Sequence, residues 1–139
     1  MWNINGNLAV TETLKYSLAV FYVAAGAYHF VNPDFYHSLI PDYLPYPVYI
    51  NYLSGLLEIA IGVLVLNQKT RKMACYAIIG LLLIFILSHI YFIQIGSCAD
   101  NSLCVPAWVS WGRLLVVHPL LIYWAWLVSN IPQKQTNAY

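Results

Sequence analysis

Four stretches of mostly apolar residues, 13–31, 48–66, 73–95 and 107–129, leave this chain little choice of solvent. Each is close to the roughly 20 residues that a helix needs to cross a bilayer. The composition agrees: 61% of the residues are hydrophobic and 8% are charged, which excludes a disordered chain and an ordinary soluble one. A formal net charge of +1 gives a nucleic-acid partner nothing to bind. The expected fold is an all-α membrane protein, a single domain over 1–139. Its four transmembrane helices, joined by short connections, form an up-down antiparallel bundle.

The small net charge hides an asymmetry that sets orientation. Lys69, Arg71 and Lys72 share one connection, and Lys15 and Lys134 flank the first and last apolar stretches. The connections 32–47 and 96–107 hold Asp34, Asp42 and Asp100 but no Lys or Arg. Cytoplasmic loops carry the excess of Lys and Arg, so both termini are expected in the cytoplasm. Aromatics support this frame, with Tyr43, Tyr46, Tyr49, Trp108 and Trp111 near the outer interface and Tyr76, Trp124 and Trp126 near the inner one. Ala25-Gly26-Ala27 has the small residues of a cleavage site, but the segment before it lacks a well-charged start, so a retained helix is expected. The first external connection is apolar and aromatic and is expected to lie on the bilayer or cap the bundle. Pro33 should end the first helix, while Pro47 and Pro106 suit the first turns of the second and fourth.

Five ionisable side chains lie within the apolar stretches: His29, Glu58, His89, Arg113 and His118. Such groups are expensive at membrane depth and pair with one another. The second stretch has a small and polar stripe at helical spacing, Asn51, Ser54, Gly55, Glu58 and Gly62, which marks the face that looks into the bundle. With a rise of about 1.5 Å per residue, Glu58 falls roughly 15 Å below the outer end of its helix, and His89 and Arg113 about 10 Å. Glu58 and Arg113 are therefore expected to meet, directly or through a water or a histidine. His29 and His89 would line the same outward cavity, and the histidines could relay a proton to Glu58. The alternative is a structural ion pair that only fixes helix register. His118, five residues after Arg113, points about 140° away at 100° per residue. Pro119 disturbs the backbone there, and His118 is expected to satisfy it.

Cys98 and Cys104 lie in an external connection, where oxidising conditions favour a structural disulfide, and Cys75 is expected to be a packed thiol. His29 and His89 are the inward histidines at similar depth that a haem iron would need. The Glu-x-x-His repeats of di-iron bundles are absent. Neither haem nor another metal is expected.

Several short pieces, in order along the chain, resemble the DoxX-like family of small four-helix membrane proteins. They are Gly26-Ala27-Tyr28-His29-Phe30 with Pro33, Ile40-Pro41-Asp42-Tyr43-Leu44-Pro45, Gly55-Leu56-Leu57-Glu58 with Gly62, Arg71, and Arg113 followed by Pro119-Leu120-Leu121-Ile122-Tyr123-Trp124. The resemblance runs over most of the chain. It implies a four-helix bundle in a bacterial inner membrane, with His29, Glu58 and Arg113 as the positions to watch. Some relatives are subunits of quinone-linked redox complexes. The resemblance thus implies a non-catalytic subunit or binding module in a redox or respiratory setting, whose polar pocket receives a quinone headgroup or a lipid-like ligand. Other membrane subunits, or a second copy of the chain, are the implied partners. The alternatives are a membrane oxidoreductase in its own right, and an assembly factor, receptor or small-molecule transporter.

Overall fold

A computed structural model describes residues 8–99 and 102–132. Asp100 and Lys134, which contribute to the charge asymmetry, lie outside the described residues. Among the described residues the regular structure is helical: α1 (Leu8–Val31), a short α2 (Pro33–His37), α3 (Pro47–Leu66), α4 (Arg71–Gln94), α5 (Ala107–Gly112), a π turn (Arg113–Val117) and α6 (His118–Ser129). Pro33 and Pro47 stand in the first turns of α2 and α3, where a missing N–H leaves no bond unmade.

Among the described residues three helices are long and apolar enough to cross a membrane: α3, α4, and the continuous run Ala107–Ser129. Their outward faces are lined with exposed Leu56, Leu64, Leu83, Ile84, Leu115 and Leu120. An apolar exterior of this extent suits lipid rather than water, and the chain is a multi-pass membrane protein. The first expected span differs from these. α1 has 24 residues and begins at Leu8 rather than 13, and its first half carries Glu12 and a buried Lys15, bonded to each other at 2.5 Å.

α1 lies antiparallel on α3 at unusually short range. A methyl group at Gly26 would sit 2.6 Å from the carbonyl oxygen of Gly55 and 2.8 Å from the Ile59 nitrogen. One at Gly55 would sit 2.6 Å from His29 Cβ. Two turns further along, a methyl group at Gly62 would sit 3.0 Å from the Ala19 carbonyl oxygen. Small residues let helix backbones approach in this way.

The apolar core is confined to one end of the bundle. Leu18, Ala19 and Tyr22 of α1, Ile61 and Val65 of α3, Ala74, Cys75 and Ile78 of α4, and Ala125 and Val128 of α6 form one buried cluster. This is the end that holds the α3–α4 hairpin, and there Trp124 Nε1 donates to the Leu14 carbonyl oxygen at 3.1 Å, tying α6 to α1. Across the bundle α1 packs on α3 and α4 on α5 and α6, α3 also meets α4 and α1 meets α6, and the diagonal pairs α1–α4 and α3–α6 make no close backbone approach. The two long connections close over the opposite, loop end, where Ser102 Oγ donates to the Phe35 carbonyl oxygen at 3.2 Å. Cys98 and Cys104 are disulfide-bonded there, and Cys75 is a buried free thiol.

Gly55→Ala and Gly26→Ala should each destabilise the protein by about 1–3 kcal/mol, the usual cost of forcing extra atoms into a packed contact. Gly80→Ala should not, since nothing lies within 4 Å of an added Cβ there. Thermal unfolding of the three variants in the same detergent checks the contrast.

Candidate functional site

The close approach of α1 to α3 brings His29, Asn51 and Glu58 together, all buried. Asn51 Nδ2 donates to the His29 carbonyl oxygen at 3.0 Å. That carbonyl can only accept, so it fixes the amide orientation and turns Asn51 Oδ1 toward His29 Nδ1, 2.7 Å away. An amide oxygen also only accepts, so Nδ1 carries the ring hydrogen. The other ring nitrogen, Nε2, is left facing Glu58 Oε2 at 3.6 Å. That separation is too long for a hydrogen bond, and Oε2 is buried with no hydrogen-bond partner. A buried polar atom without a partner is costly. The site therefore holds an acceptor in need of a donor: a proton shared with His29, or a donor group on something bound.

The connection 32–47 lies over this site. α2 carries Tyr36 over His29, with the rings stacked 3.5 Å apart between centroids and tilted by 13°. Tyr28 and Phe35 pack edge-on around Tyr36. Burial pushes the Tyr36 phenol up to about 12, with the Glu58 carboxylate adding to the rise and Arg113 opposing it. Tyr36 thus keeps its proton at physiological pH and lies within electrostatic reach of both Glu58 and Arg113. Below, Tyr22 sits two turns before His29 on the same face of α1 and within reach of Glu58. Its buried hydroxyl also has no partner.

Across the loop end is a second polar group. His89 and His118 meet ring edge to ring face, 4.8 Å between centroids, and His118 Nε2 lies 2.6 Å from the Leu82 carbonyl oxygen on α4. Arg113 lies over the Phe92 ring at 5.9 Å and within electrostatic reach of His89. Ser110, one turn earlier, is buried with its hydroxyl unpartnered. Among the described residues no group of three or more His, Cys, Asp or Glu side chains is placed to hold a metal.

Three expectations need correction. Glu58 and Arg113 form no ion pair: the basic group nearest to Glu58 is His29, and Tyr36 stands within reach of both. The helix rise fixes depth alone and says nothing of the distance across the bundle. His29 and His89, expected to line one cavity, belong to different clusters, His29 beside Glu58 and His89 beside His118. His118 does not point away from the polar side chains of the fourth span. Pro119 has no N–H for Leu115, and the chain answers with a wide turn in which the His118 N–H bonds to the Arg113 carbonyl oxygen, five residues back. Five residues then make about one full turn, which carries His118 round to His89. His118 bonds to the backbone of α4 rather than to its own helix. Ser54 is half-buried on α3.

Among the residues that sequence reasoning missed, Tyr22 was signalled by its spacing of seven from His29. Tyr36 carried no such signal, because its placement depends on how a loop folds. The family profile described as Domain of unknown function (DUF8561) matches residues 18–129. The chain belongs to the DUF8561 family. The match includes every member of both polar clusters. No curated protein and no solved structure matches the chain.

A double-mutant cycle on stability separates the two possible partners of Glu58. Residues in contact couple by about 0.5–3 kcal/mol, and distant ones add within about 0.5 kcal/mol. Glu58→Gln with His29→Phe should show coupling in the first range. Glu58→Gln with Arg113→Met should be nearly additive.

Proposed function

We propose that the protein is a DoxX-like four-pass subunit or binding module of a bacterial cytoplasmic membrane, with a pocket at its loop end for the polar headgroup of a quinone or a similar lipid-like molecule. α1 is its fourth crossing, and both termini face the cytoplasm. The observation that carries this reading is the buried Glu58 Oε2 with no hydrogen-bond partner, held 3.6 Å from His29 Nε2 beneath the Tyr36 ring. A purely structural ion pair would leave no such atom over, because pairing is what makes a buried charge tolerable.

The chemistry of the pocket follows from its donors and acceptors. A quinone headgroup offers carbonyl oxygens, which accept, and its reduced form offers hydroxyls, which donate. Tyr36 supplies a phenol O–H that remains protonated, Arg113 supplies a cation on the facing wall, and Glu58 supplies the acceptor. Asn51 holds the His29 ring so that Nε2, rather than Nδ1, meets the pocket. The pair His29–Glu58 is then the place where a proton taken from or given to the headgroup would rest. Glycine-mediated packing sets the distance between them, which keeps the polar groups preorganised before a ligand arrives. The redox partner of such a subunit is another membrane protein or a second copy of the chain.

The disulfide supports the orientation. Cys98 and Cys104 are bonded at the loop end, and such bonds persist outside the cytoplasm. Lys69, Arg71 and Lys72 stand at the opposite end, on the side where positive residues accumulate. A cysteine introduced at Ser102 should react with a membrane-impermeant reagent in intact cells, and one at Lys69 should not. The reverse pattern would overturn the orientation.

Ligand binding is tested by adding a short-chain ubiquinone to the purified protein and following the quench of its tryptophan fluorescence. Saturable binding is expected, with at least a tenfold loss of affinity in Glu58→Gln and in Tyr36→Phe and none in Gly80→Ala. Binding that is equal in all of these would remove the pocket reading. Mass analysis of an organic extract of the protein from native membrane identifies the occupant.

A further inference from the structure

At the hairpin end, a cavity of about 300 Å³ is lined by Gln68, Arg71, Lys72, Ser129, Asn130 and Ile131. It contains none of the residues of the His29–Glu58 site. Arg71 is the unusual member. Its side chain is 8% exposed, yet of its five N–H donors only Nε is bonded within the described residues, to the Val65 carbonyl oxygen at 3.3 Å. Glu12, the acidic residue at this end, is bonded to Lys15, and no carboxylate lies within ion-pair distance of Arg71 or Lys72 among the described residues. Ser129 Oγ and Asn130 Nδ2 both donate to the Trp126 carbonyl oxygen at 2.7 Å, so the polar lining next to the cations is already engaged. A buried guanidinium with open donors, a second cation beside it and no counter-charge among the described residues together call for an anion.

We propose that this cavity binds a phosphate group, with Arg71 as its forked donor and Lys72 as its second charge. Guanidinium geometry suits phosphate oxygens, which it engages with two parallel N–H bonds. Depth points to the source. Exposed Tyr76, Tyr123 and Trp126 ring this end of the helices, as aromatic residues do at the headgroup level, and basic pockets between helices on the cytoplasmic side take anionic lipid headgroups. The same chemistry accepts a soluble phosphate arriving from the cytoplasm.

Native mass spectrometry of the full chain in an uncharged detergent tests the proposal. Phosphatidylglycerol, diacylglycerol with the same chains and inorganic phosphate are each titrated in. A lipid site binds phosphatidylglycerol at least tenfold more tightly than diacylglycerol and is not emptied by millimolar phosphate. A soluble-phosphate site retains inorganic phosphate and shows no preference between the lipids. In either case Arg71→Gln and Lys72→Gln should each weaken the binding severalfold, and Lys69→Gln, outside the cavity, should leave it unchanged. Should Arg71→Gln fail to fold, Lys72→Gln, at an exposed position, carries the same comparison. Equal affinity for both lipids with no retained phosphate, or binding indifferent to Arg71 and Lys72, would overturn the proposal.

Discussion

The glycine contact between α1 and α3 is the constraint on which the rest of the structure depends. Gly26 and Gly55 let two backbones approach until a single methyl group on either would collide with the other helix. In a bilayer there is little hydrophobic force to bring helices together, so close packing and interhelical hydrogen bonds must do it. The contact achieves both, because it sits one turn or less from His29 and from Asn51 and Glu58. Without it the two Asn51 hydrogen bonds to His29 would not form, and the ring would not be fixed with Nε2 toward Glu58. The same glycines that hold the helices together therefore decide which histidine nitrogen is available for chemistry.

The division of the bundle into an apolar end and a polar end gives this contact its consequence. Near the hairpin, side chains from α1, α3, α4 and α6 form one buried cluster that closes the bundle. Toward the loops the polar residues form two clusters, His29, Asn51 and Glu58 on α1 and α3, and His89, Arg113 and His118 on α4 and the fourth span. The Tyr36 ring is stacked on His29, on the α1–α3 side. The π turn belongs to the same arrangement. It rotates the second half of the fourth span so that His118 joins His89 rather than facing lipid.

Much of this was legible in the sequence, and the gaps have physical reasons. Apolar runs gave α3, α4 and the 107–129 span almost to the residue, because length and hydropathy alone decide them. The stripe Asn51, Gly55, Glu58 and Gly62 marked the inward face of α3, since small and polar residues at helical spacing have nowhere else to go. The cysteine pairing was legible from compartment and proximity in the chain. The partner of Glu58 was not. Helix rise gives depth, but distance across a bundle depends on how far apart the helices stand, and His29 is nearer than Arg113. The position of His118 was misjudged because a regular 100° step was applied through a proline-induced π turn. Tyr36 was invisible as a site residue because loop conformation, not periodicity, brings it over His29. α1 has the length of a span, and Glu12 and Lys15 make it less apolar than the other three.

The central claim is that Glu58 is the group that responds when the pocket is filled. Infrared difference spectroscopy of the purified protein, recorded as a short-chain ubiquinone is washed on and off, reads that group directly. The account predicts a change in the carboxyl region on binding that disappears in Glu58→Gln and shifts when the Asn51–His29 bond is removed by Asn51→Leu. A carboxyl signal that survives unchanged in Glu58→Gln, or binding with no carboxyl signal in the native protein, would contradict it.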